Sequence, residues 1–423
     1  MVCIITHVCF RLSHMQWLNL SKAGGWSDTP PLSYEHGGAV ACLAVLVDGK
    51  RPLRAKCRVV KGITGIRLCT ESRSLADEEA LLRSSEITIN TFGDLKSFND
   101  PESECALLKC ALVWLGLCPV EYIQDDKKKS HSIQPFLQKF CQSEGNDEIG
   151  LELISTSLLP TGSGMGSSSI LAGCIIASIA KCIGVVLEGM EPESEQSPSY
   201  GTLTNGTNSL VHGVLMVEQL LTSGGGWQDQ IGGLVGGLKL ATSDRNILPL
   251  ETKTTCYQLS VETINELNQR LILVDTGKPR LAKNILRNVL RRWAKRSSDI
   301  VETVHNLVSE ASNAIQYATK GDLNSLGNCM SKYWDLKKTM AGESSGVEPE
   351  NINKLLQVLT SSKLIAGGTL CGAGGGGFLA LIATDGESRT EIEAAMNIVG
   401  VDTKKFKWHS CTVATVGLLI DIR

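Results

Sequence analysis

The sequence predicts an α+β protein, and three observations lead to this prediction. The chain has 423 residues, enough for about two or three domains. Hydrophobic residues make up 42% and charged residues 20%, as in ordinary globular proteins. Strand patterns mix with helical patterns, without the strict alternation that a doubly wound parallel sheet requires. We place two domains at residues 23–255 and 256–423, after an atypical segment over residues 1–22.

Composition and charge exclude several classes of protein. Lys and Arg number 41 against 44 Asp and Glu, a net charge of −3, so no broad basic field exists to hold nucleic acid. The longest apolar run, residues 170–187, is interrupted by Lys181 and predicts a core helix rather than a membrane span. The 15 cysteines lack metal-ligand or disulfide-scaffold spacing, which indicates reduced thiols and a cytoplasmic protein.

Local patterns predict the elements in order. An apolar, β-branched run, a hairpin signal at Asp48-Gly49 and an alternating run predict two paired strands. In the first region we predict strands over 38–47, 53–60, 87–92 and 149–158, a polar helix over 71–84, and helices over 105–117, from 167 onward, and over 203–221. In the second region we predict strands over 271–275, 379–382 and 412–419, and helices within 281–319 and 322–340.

The first turn, residues 23–31, combines two glycines, an acid and two prolines. This composition predicts a rigid turn that carries the carboxylate of Asp28 at its tip. A carboxylate placed in this way can accept paired hydrogen bonds from sugar hydroxyls. The alternative is an Asp that only caps a turn.

The Gly/Ser loop, residues 160–169, lies between a predicted strand and an apolar helix. Glycines let the backbone approach a ligand, and a helix N-terminus presents unpaired N–H groups to an anion. The serine hydroxyls can bind phosphate oxygens or a divalent metal. The chain contains no Walker motif. The pattern therefore indicates a different phosphate site, with a flexible linker and a serine N-cap as the alternative.

The C-terminal glycine loop, residues 371–378, matches a dinucleotide-binding Gly-x-Gly-x-x-Gly at Gly372, Gly374 and Gly377. A dinucleotide site needs a helix after this motif, but an apolar strand pattern follows here. We therefore expect a tight turn that lines a catalytic cleft.

The tryptophan loop, residues 224–233, carries Asp229 eleven residues after Glu218, which ends a predicted helix. Asp229 could orient or deprotonate a hydroxyl nucleophile, and Glu218 could hold Mg²⁺ together with a serine of the Gly/Ser loop. The alternative is a solvated glutamate at a helix end and an aspartate in a turn.

Taken together and in their order along the chain, the four loops resemble the GHMP small-molecule kinases over about residues 23–420. The Gly/Ser loop resembles the phosphate loop of that family, and residues 371–378 resemble its C-terminal glycine motif. Within the family, the first turn and the tryptophan loop look most like the L-fucose kinase branch, and residues 276–282 fit the same branch. The heptose-phosphate kinases come next.

The resemblance implies a fold, two ligands and a role for each matched residue. The fold would be a ribosomal-protein S5-like domain followed by a ferredoxin-like domain, and the ligands would be ATP with Mg²⁺ and a small sugar. Asp229 would be the catalytic carboxylate, Ser168 and Glu218 the metal ligands, and Asp28, Gly374 and Gly375 substrate-binding residues. The residues that would cradle the ATP phosphates are Gly162, Ser163, Gly164, Met165, Gly166, Ser167 and Ser168.

The implied activity is a sugar 1-kinase that converts L-fucose to β-L-fucose 1-phosphate for a GDP-fucose salvage route. Residues 1–22 depart from the family, because Asn19 stands where an arginine is expected. We expect this segment to be poorly ordered or loosely paired, leaving an exposed sheet edge. The nucleotidyltransferase-like region of mammalian-type fucose kinases has no counterpart here, so we expect a kinase module. The alternatives are a heptose-phosphate or galactose kinase and a catalytically inactive chain; the sequence does not indicate an oligomeric state.

Overall fold

The computed structural model has the predicted α+β fold, with two sheets and helices packed against them. It describes residues 12–14, 17–18, 23–141, 148–160, 162–187, 199–200, 209–222, 224–277, 282–342, 345–384, 389–398 and 406–419. The described strands are β1 (Leu12–His14), β2 (Trp17–Leu18), β3 (Gly38–Val47), β4 (Leu53–Lys61), β5 (Gly65–Arg73), β6 (Leu81–Ile89), β7 (Ile149–Ser157), β8 (Ser199–Tyr200), β9 (Leu238–Ser243), β10 (Thr252–Tyr257), β11 (Leu271–Asp275), β12 (Ile365–Leu370), β13 (Phe378–Ala383), β14 (Lys407–Val413) and β15 (Leu418–Leu419).

The helices carry most of the second region and flank the glycine-rich loops of the first. The described α-helices are α1 (Leu32–Glu35), α2 (Ala106–Trp114), α3 (Val120–Gln124), α4 (Gln134–Phe140), α5 (Ser167–Cys182), α6 (Ser209–Leu220), α7 (Gln228–Leu234), α8 (Val261–Arg270), α9 (Ala282–Ala294), α10 (Ser298–Lys320), α11 (Leu323–Ala341), α12 (Glu350–Ser361) and α13 (Arg389–Ile398).

The first sheet positions the Gly/Ser loop. Its strand order is β6-β5-β7-β4-β1-β15-β8, and β5 and β7 form a parallel pair. The chain leaves β7, passes through the Gly/Ser loop and enters α5, which packs back on β4 and β7. Most of the apolar run, residues 170–182, is therefore a core helix as predicted, and twelve of the sixteen residues of α5 are buried; the helix ends at Cys182, before the last five residues of the run. None of the helices that the structure describes is long and apolar enough to cross a membrane.

The second sheet joins the two predicted domains, with strand order β10-β9-β3-β14-β11-β13-β12. β3 of the first region pairs with β14 of the second, with Val47 opposite Cys411 and Val45 opposite Val413. The predicted boundary between residues 255 and 256 falls inside β10, which pairs with β9 along its length. The domain division itself stays a prediction, but β10 belongs with the first region by its pairing.

The predicted polar helix over residues 71–84 is wrong. These residues end β5, turn, and begin β6, which pairs with β5 in antiparallel register. β6 lies at the edge of the sheet, and most of its side chains are exposed or half-buried. An edge strand with a solvated face can carry the Glu, Ser and Arg residues that suggest a polar helix, because pairing with a neighbour overrides weak local propensity.

Parts of the N-terminal segment pair with both sheets, which differs from the predicted loose edge. Leu12–His14 forms β1 between β4 and β15, and Trp17–Leu18 forms β2 beside β3. The backbone N–H and C=O groups of a strand can form hydrogen bonds with any extended segment. Pairing therefore does not require that apolar and polar side chains alternate along that segment. Residues 1–11, 15–16 and 19–22 lie outside the described residues, so the prediction for them is untested.

Two hydrophobic clusters form the core. The larger one lies between α5, α6, α2 and the strands of the first region, and it extends to α10 and α11. The smaller one lies within the second region, and it includes Trp26 and Leu32 from the first turn and α1. The first turn is therefore packed against the second region, where α11 and the C-terminal glycine loop lie.

Candidate active site

The Gly/Ser loop and the C-terminal glycine loop lie in direct contact. The Phe378 N–H donates to the Ser163 carbonyl at 3.0 Å, and a Cβ added to Gly377 would lie only 2.5 Å from that carbonyl oxygen. The Thr276 hydroxyl donates to the Gly377 carbonyl at 2.7 Å. Only glycine allows this approach, so two motifs more than 200 residues apart in sequence form one side of a cleft.

The start of α5 has the geometry of an anion site. Gly166 is the N-cap residue with φ +71°, and it has no side chain with which to cap the helix. Gly164 also has a positive φ, +81°. Ser163 is buried, Ser167 is half-buried and Ser168 is exposed. The orphan N–H groups of a helix start are partnered by side chains, water or ligands, and a phosphate is well suited to them.

Asp229 lies against this helix start. It is the second residue of α7, and a Cβ added to Gly166 would lie 2.6 Å from the Asp229 carboxyl carbon. The side chain is half-buried. A carboxylate in the first turn of a helix is stabilised by the helix dipole. The structure therefore brings the predicted catalytic carboxylate to the predicted phosphate loop.

Asp28 lies beneath the tryptophan loop and is fully buried. Its Oδ1 accepts the Trp26 N–H at 2.9 Å, and its Oδ2 accepts the Gln228 N–H at 3.0 Å. Burial raises the pKa of Asp28 to about 7; the hydrogen bond from Gln228 opposes this shift, and the charge of Asp229 adds to it. The structure thus places Asp28 close to Asp229 but turns its oxygens toward backbone donors.

Glu218 forms a hydrogen bond with Ser169, the neighbour of Ser168, and the metal-ligand roles of Ser168 and Glu218 stay a prediction. The Ser169 hydroxyl donates to Glu218 Oε1 at 2.9 Å, and both side chains are buried. Ser168 is exposed beside them at the same helix start. Two hydroxyls and a carboxylate are oxygen donors of the kind that Mg²⁺ prefers, so this donor set fits the implied metal. The described residues contain no group of three or more His, Cys, Asp or Glu side chains that could hold a metal ion.

Gly374 and Gly375 pack against protein backbone. The Gly375 N–H donates to the Val347 carbonyl at 2.6 Å, and a Cβ on Gly374 would lie 2.6 Å from the same oxygen. Both glycines have positive φ, +85° and +80°. They shape the turn against the segment after α11, while their contact with a substrate stays a prediction. Of residues 276–282, positions 278–281 lie outside the described residues.

Sequence reasoning missed two side chains of α11 at this site. Tyr333 is buried, and burial together with the charges of Asp28 and Asp229 raises its pKa well above the usual value. Lys337, one helical turn further on, holds its ammonium 4.5 Å from the Trp26 ring centre and donates to the Gly372 carbonyl. Because a helix was predicted over 322–340, the four-residue spacing of Tyr333 and Lys337 already placed them on one face.

Residues 314–402 match the family model described as GHMP kinases C terminal. The whole chain also has the fold of solved GHMP-type kinases. It covers 98% of its length and 99% of that of a D-glycero-D-manno-heptose 1-phosphate kinase from Bacteroides thetaiotaomicron, with TM-score 0.59 and 15% identity. It covers 98% of its length and 95% of that of Lactococcus lactis galactokinase in complex with galactose, with TM-score 0.61 and 16% identity. Residues 314–402 thus carry a GHMP kinase C-terminal domain, and the chain shares the fold of these solved sugar kinases.

Two curated relatives match about 90% of this chain. The bifunctional fucokinase/GDP-fucose pyrophosphorylase of Arabidopsis thaliana is 29% identical over 92% of this chain and 31% of its own length. The L-fucokinase/L-fucose-1-P guanylyltransferase of Bacteroides fragilis is 27% identical over 89% of this chain and 35% of its own length. The chain therefore spans about a third of the length of these two relatives.

Proposed function

We propose that this chain is an ATP- and Mg²⁺-dependent sugar 1-kinase whose substrate is L-fucose and whose product is β-L-fucose 1-phosphate. One observation carries the proposal: the Asp229 carboxyl packs against Gly166, the N-cap of α5. A phosphoryl acceptor held by Asp229 would thus lie next to a phosphate held by the helix start.

The proposed chemistry is in-line transfer of the γ-phosphoryl group to the anomeric hydroxyl. The loop of Gly162, Ser163, Gly164, Met165, Gly166, Ser167 and Ser168 would bind the ATP phosphates through backbone N–H groups and hydroxyls. Asp229 would orient the anomeric hydroxyl and accept its proton as the new O–P bond forms and the bond between the γ-phosphorus and its bridging oxygen breaks, with ADP as the leaving group. Positioning and charge stabilisation dominate catalysis in phosphoryl transfer, which suits a site built from loop backbone and one carboxylate.

The proposed metal site uses Ser168 and Glu218, with Ser169 as the donor that orients the carboxylate. When bound, Mg²⁺ would neutralise charge that develops on the phosphate oxygens. The buried Ser169–Glu218 hydrogen bond holds the carboxylate still, and the exposed Ser168 hydroxyl is open to a ligand.

The choice of L-fucose depends on the relatives, because both are named as fucokinases and match about 90% of this chain. The first turn and the tryptophan loop, which resemble the fucose kinase branch, lie together at the proposed acceptor side. Galactose and a heptose phosphate are the alternative acceptors, as the structural neighbours illustrate.

The test is a kinase assay of the purified chain with Mg²⁺–ATP and each of L-fucose, D-galactose and a heptose phosphate. ADP release gives the rate, and phosphorus NMR identifies an anomeric phosphate. We expect turnover with L-fucose that falls by about 10²-fold or more in the Asp229→Asn variant. Turnover with another sugar alone would refute the substrate. ATP binding without turnover on any sugar would instead favour the catalytically inactive chain.

A further inference from the structure

The Asp28 carboxylate is fully buried, and both of its oxygens accept hydrogen bonds from the backbone. The side chain has no exposed surface, and each of its oxygens accepts a backbone N–H, one from Trp26 within the first turn and one from Gln228. A carboxylate that binds a sugar hydroxyl must present an oxygen to the cleft. This geometry is instead that of a side chain satisfying buried backbone donors.

The tryptophan loop is shaped to close on Asp28. A Cβ added to Gly226 would lie 2.0 Å from Asp28 Oδ2 and 2.7 Å from the Asp28 carbonyl oxygen, so no larger residue fits there without displacing the carboxylate. The neighbouring Gly225 is different, because a Cβ there would make only ordinary contact, 3.7 Å from Glu218 Oε2. The close approach is therefore specific to the glycine that faces Asp28.

The hydrogen bond from Gln228 ties Asp28 to the catalytic side of the cleft. Gln228 is the first residue of α7 and Asp229 is the second, so the bond fixes the backbone that carries Asp229. Asp229 in turn packs on Gly166 at the start of α5. A side chain oxygen that accepts an N–H at a helix start stabilises that helix end.

We propose that Asp28 is a positioning residue: its carboxylate anchors the start of α7 and thereby holds Asp229 against the phosphate loop, and it does not bind the sugar. The inference rests on the proposed kinase function and revises the role that the sequence indicates for Asp28. Misplacing a reacting group by about 1 Å can cost about 10²-fold in rate, so the anchor would act on turnover.

A double-mutant cycle on turnover tests this role. We expect Asp28→Asn to lower kcat with L-fucose by about tenfold or more, with KM for L-fucose nearly unchanged. In the Asp229→Asn background the same change should have almost no further effect, because residues that act through one another are not additive. A large rise in KM with kcat retained, or additive losses in the double variant, would overturn the proposal in favour of direct sugar binding.

A second pair of variants keeps Asp28 intact. Gly226→Ala should displace the carboxylate and lower kcat as Asp28→Asn does, whereas Gly225→Ala, one residue away, should lower kcat much less, because a Cβ there makes only ordinary contact with Glu218. Equal effects of the two alanines would contradict the anchor. If Asp28→Asn fails to fold, the two glycine variants still test the anchor.

Hydrogen exchange separates this inference from the kinase function. Asp28→Asn and Gly226→Ala should speed amide exchange over residues 227–231, and Gly225→Ala should not. If the parent chain turns over no sugar but α7 responds in this way, the proposed function fails and the anchor stands. Unchanged exchange in α7 together with lost L-fucose binding by calorimetry would refute the anchor alone.

Discussion

Two glycine-rich loops of this chain each lead into a helix, and the two helix starts are satisfied in different ways. At the start of α5 the N-cap is Gly166, which has no side chain, and the next two serines are half-buried and exposed. At the start of α7 the buried carboxylate of Asp28 accepts the Gln228 N–H. One start is accessible to an anionic ligand, and the other is occupied by an anion of the protein itself.

The difference matches the different tasks that we propose for the two ends. An accessible helix start can bind and release a phosphate, because solvent or ligand can supply the missing hydrogen bonds. A helix start held by an internal carboxylate cannot serve that purpose, but it holds the following residues in place. Asp229 follows immediately, so the occupied start is suited to presenting a reacting group to the accessible one.

We expect the largest loss of turnover from a change at Asp229, where the starts of α5 and α7 meet. Asp229→Asn preserves the size of the side chain and removes its charge and basicity. We expect kcat to fall by about 10²-fold or more, with ATP affinity little changed, because the phosphate-binding backbone is untouched. Steady-state kinetics and nucleotide titration measure the two quantities. Retention of most of the turnover would remove Asp229 from the chemistry.

The next prediction concerns the accessible helix start and has a matched control in the same segment. Gly166 and Gly184 lie beyond opposite ends of α5 with nearly equal φ, +71° and +75°. A Cβ at Gly166 would collide with Asp229, whereas one at Gly184 meets no atom within 4 Å. Both alanine variants should lose about 1 kcal/mol of stability from the left-handed backbone.

Only Gly166→Ala should also lower kcat/KM for ATP, by about tenfold or more, because it disturbs both the phosphate loop and Asp229. Thermal unfolding and steady-state kinetics measure the two variants side by side. Comparable activity losses in Gly184→Ala would mean that backbone strain, and not the contact with Asp229, accounts for the result.

The free energy of unfolding should depend on pH through Asp28, which occupies the start of α7. Because the pKa of Asp28 is raised from 3.8 to about 7, the folded chain binds a proton more tightly than the unfolded chain. This contribution to stability is complete below about pH 4 and is lost as the pH rises through about 7, a decrease of about 2–3 kcal/mol between pH 5 and pH 8. Denaturant unfolding should show this slope in the parent chain and a shallower one in Asp28→Asn. Identical slopes would exclude Asp28 as the titrating group.

The smallest expected effects, on stability and on Mg²⁺ dependence, distinguish two adjacent serines at the start of α5. Ser169→Ala removes the donor to the buried Glu218 and should lower the free energy of unfolding by about 1–3 kcal/mol. Ser168→Ala should leave stability within about 0.5 kcal/mol and raise the Mg²⁺ concentration needed for half-maximal rate. Titration of Mg²⁺ at saturating ATP checks the second outcome. The reverse pattern would show that Ser169 is the residue that acts with the metal.

Local sequence patterns determined much of the architecture around the site. The strand over residues 38–47 and the strand over 271–275 have the predicted bounds, and the strand–loop–helix unit around residues 149–182 was placed within a residue at its strand end and at its helix start. These features depend on near neighbours: β-branched runs favour extended backbone, and glycines followed by an apolar run favour a loop and a buried helix. The two loops that meet in the cleft were thus identifiable from sequence.

Tertiary packing decided which atoms meet. Successive residues of a helix point in directions about 100° apart, so identifying Ser169 and not Ser168 as the hydrogen-bond partner of Glu218 requires the helix phase as packed, which no local pattern supplies. The hydrogen bond between Asp28 and the Gln228 backbone joins positions 200 residues apart. The strands over residues 71–84 likewise depend on a neighbouring strand for their pairing. The sequence determines the chemistry of each side chain. Its burial and its hydrogen-bond partners are determined by the parts of the chain that pack against it.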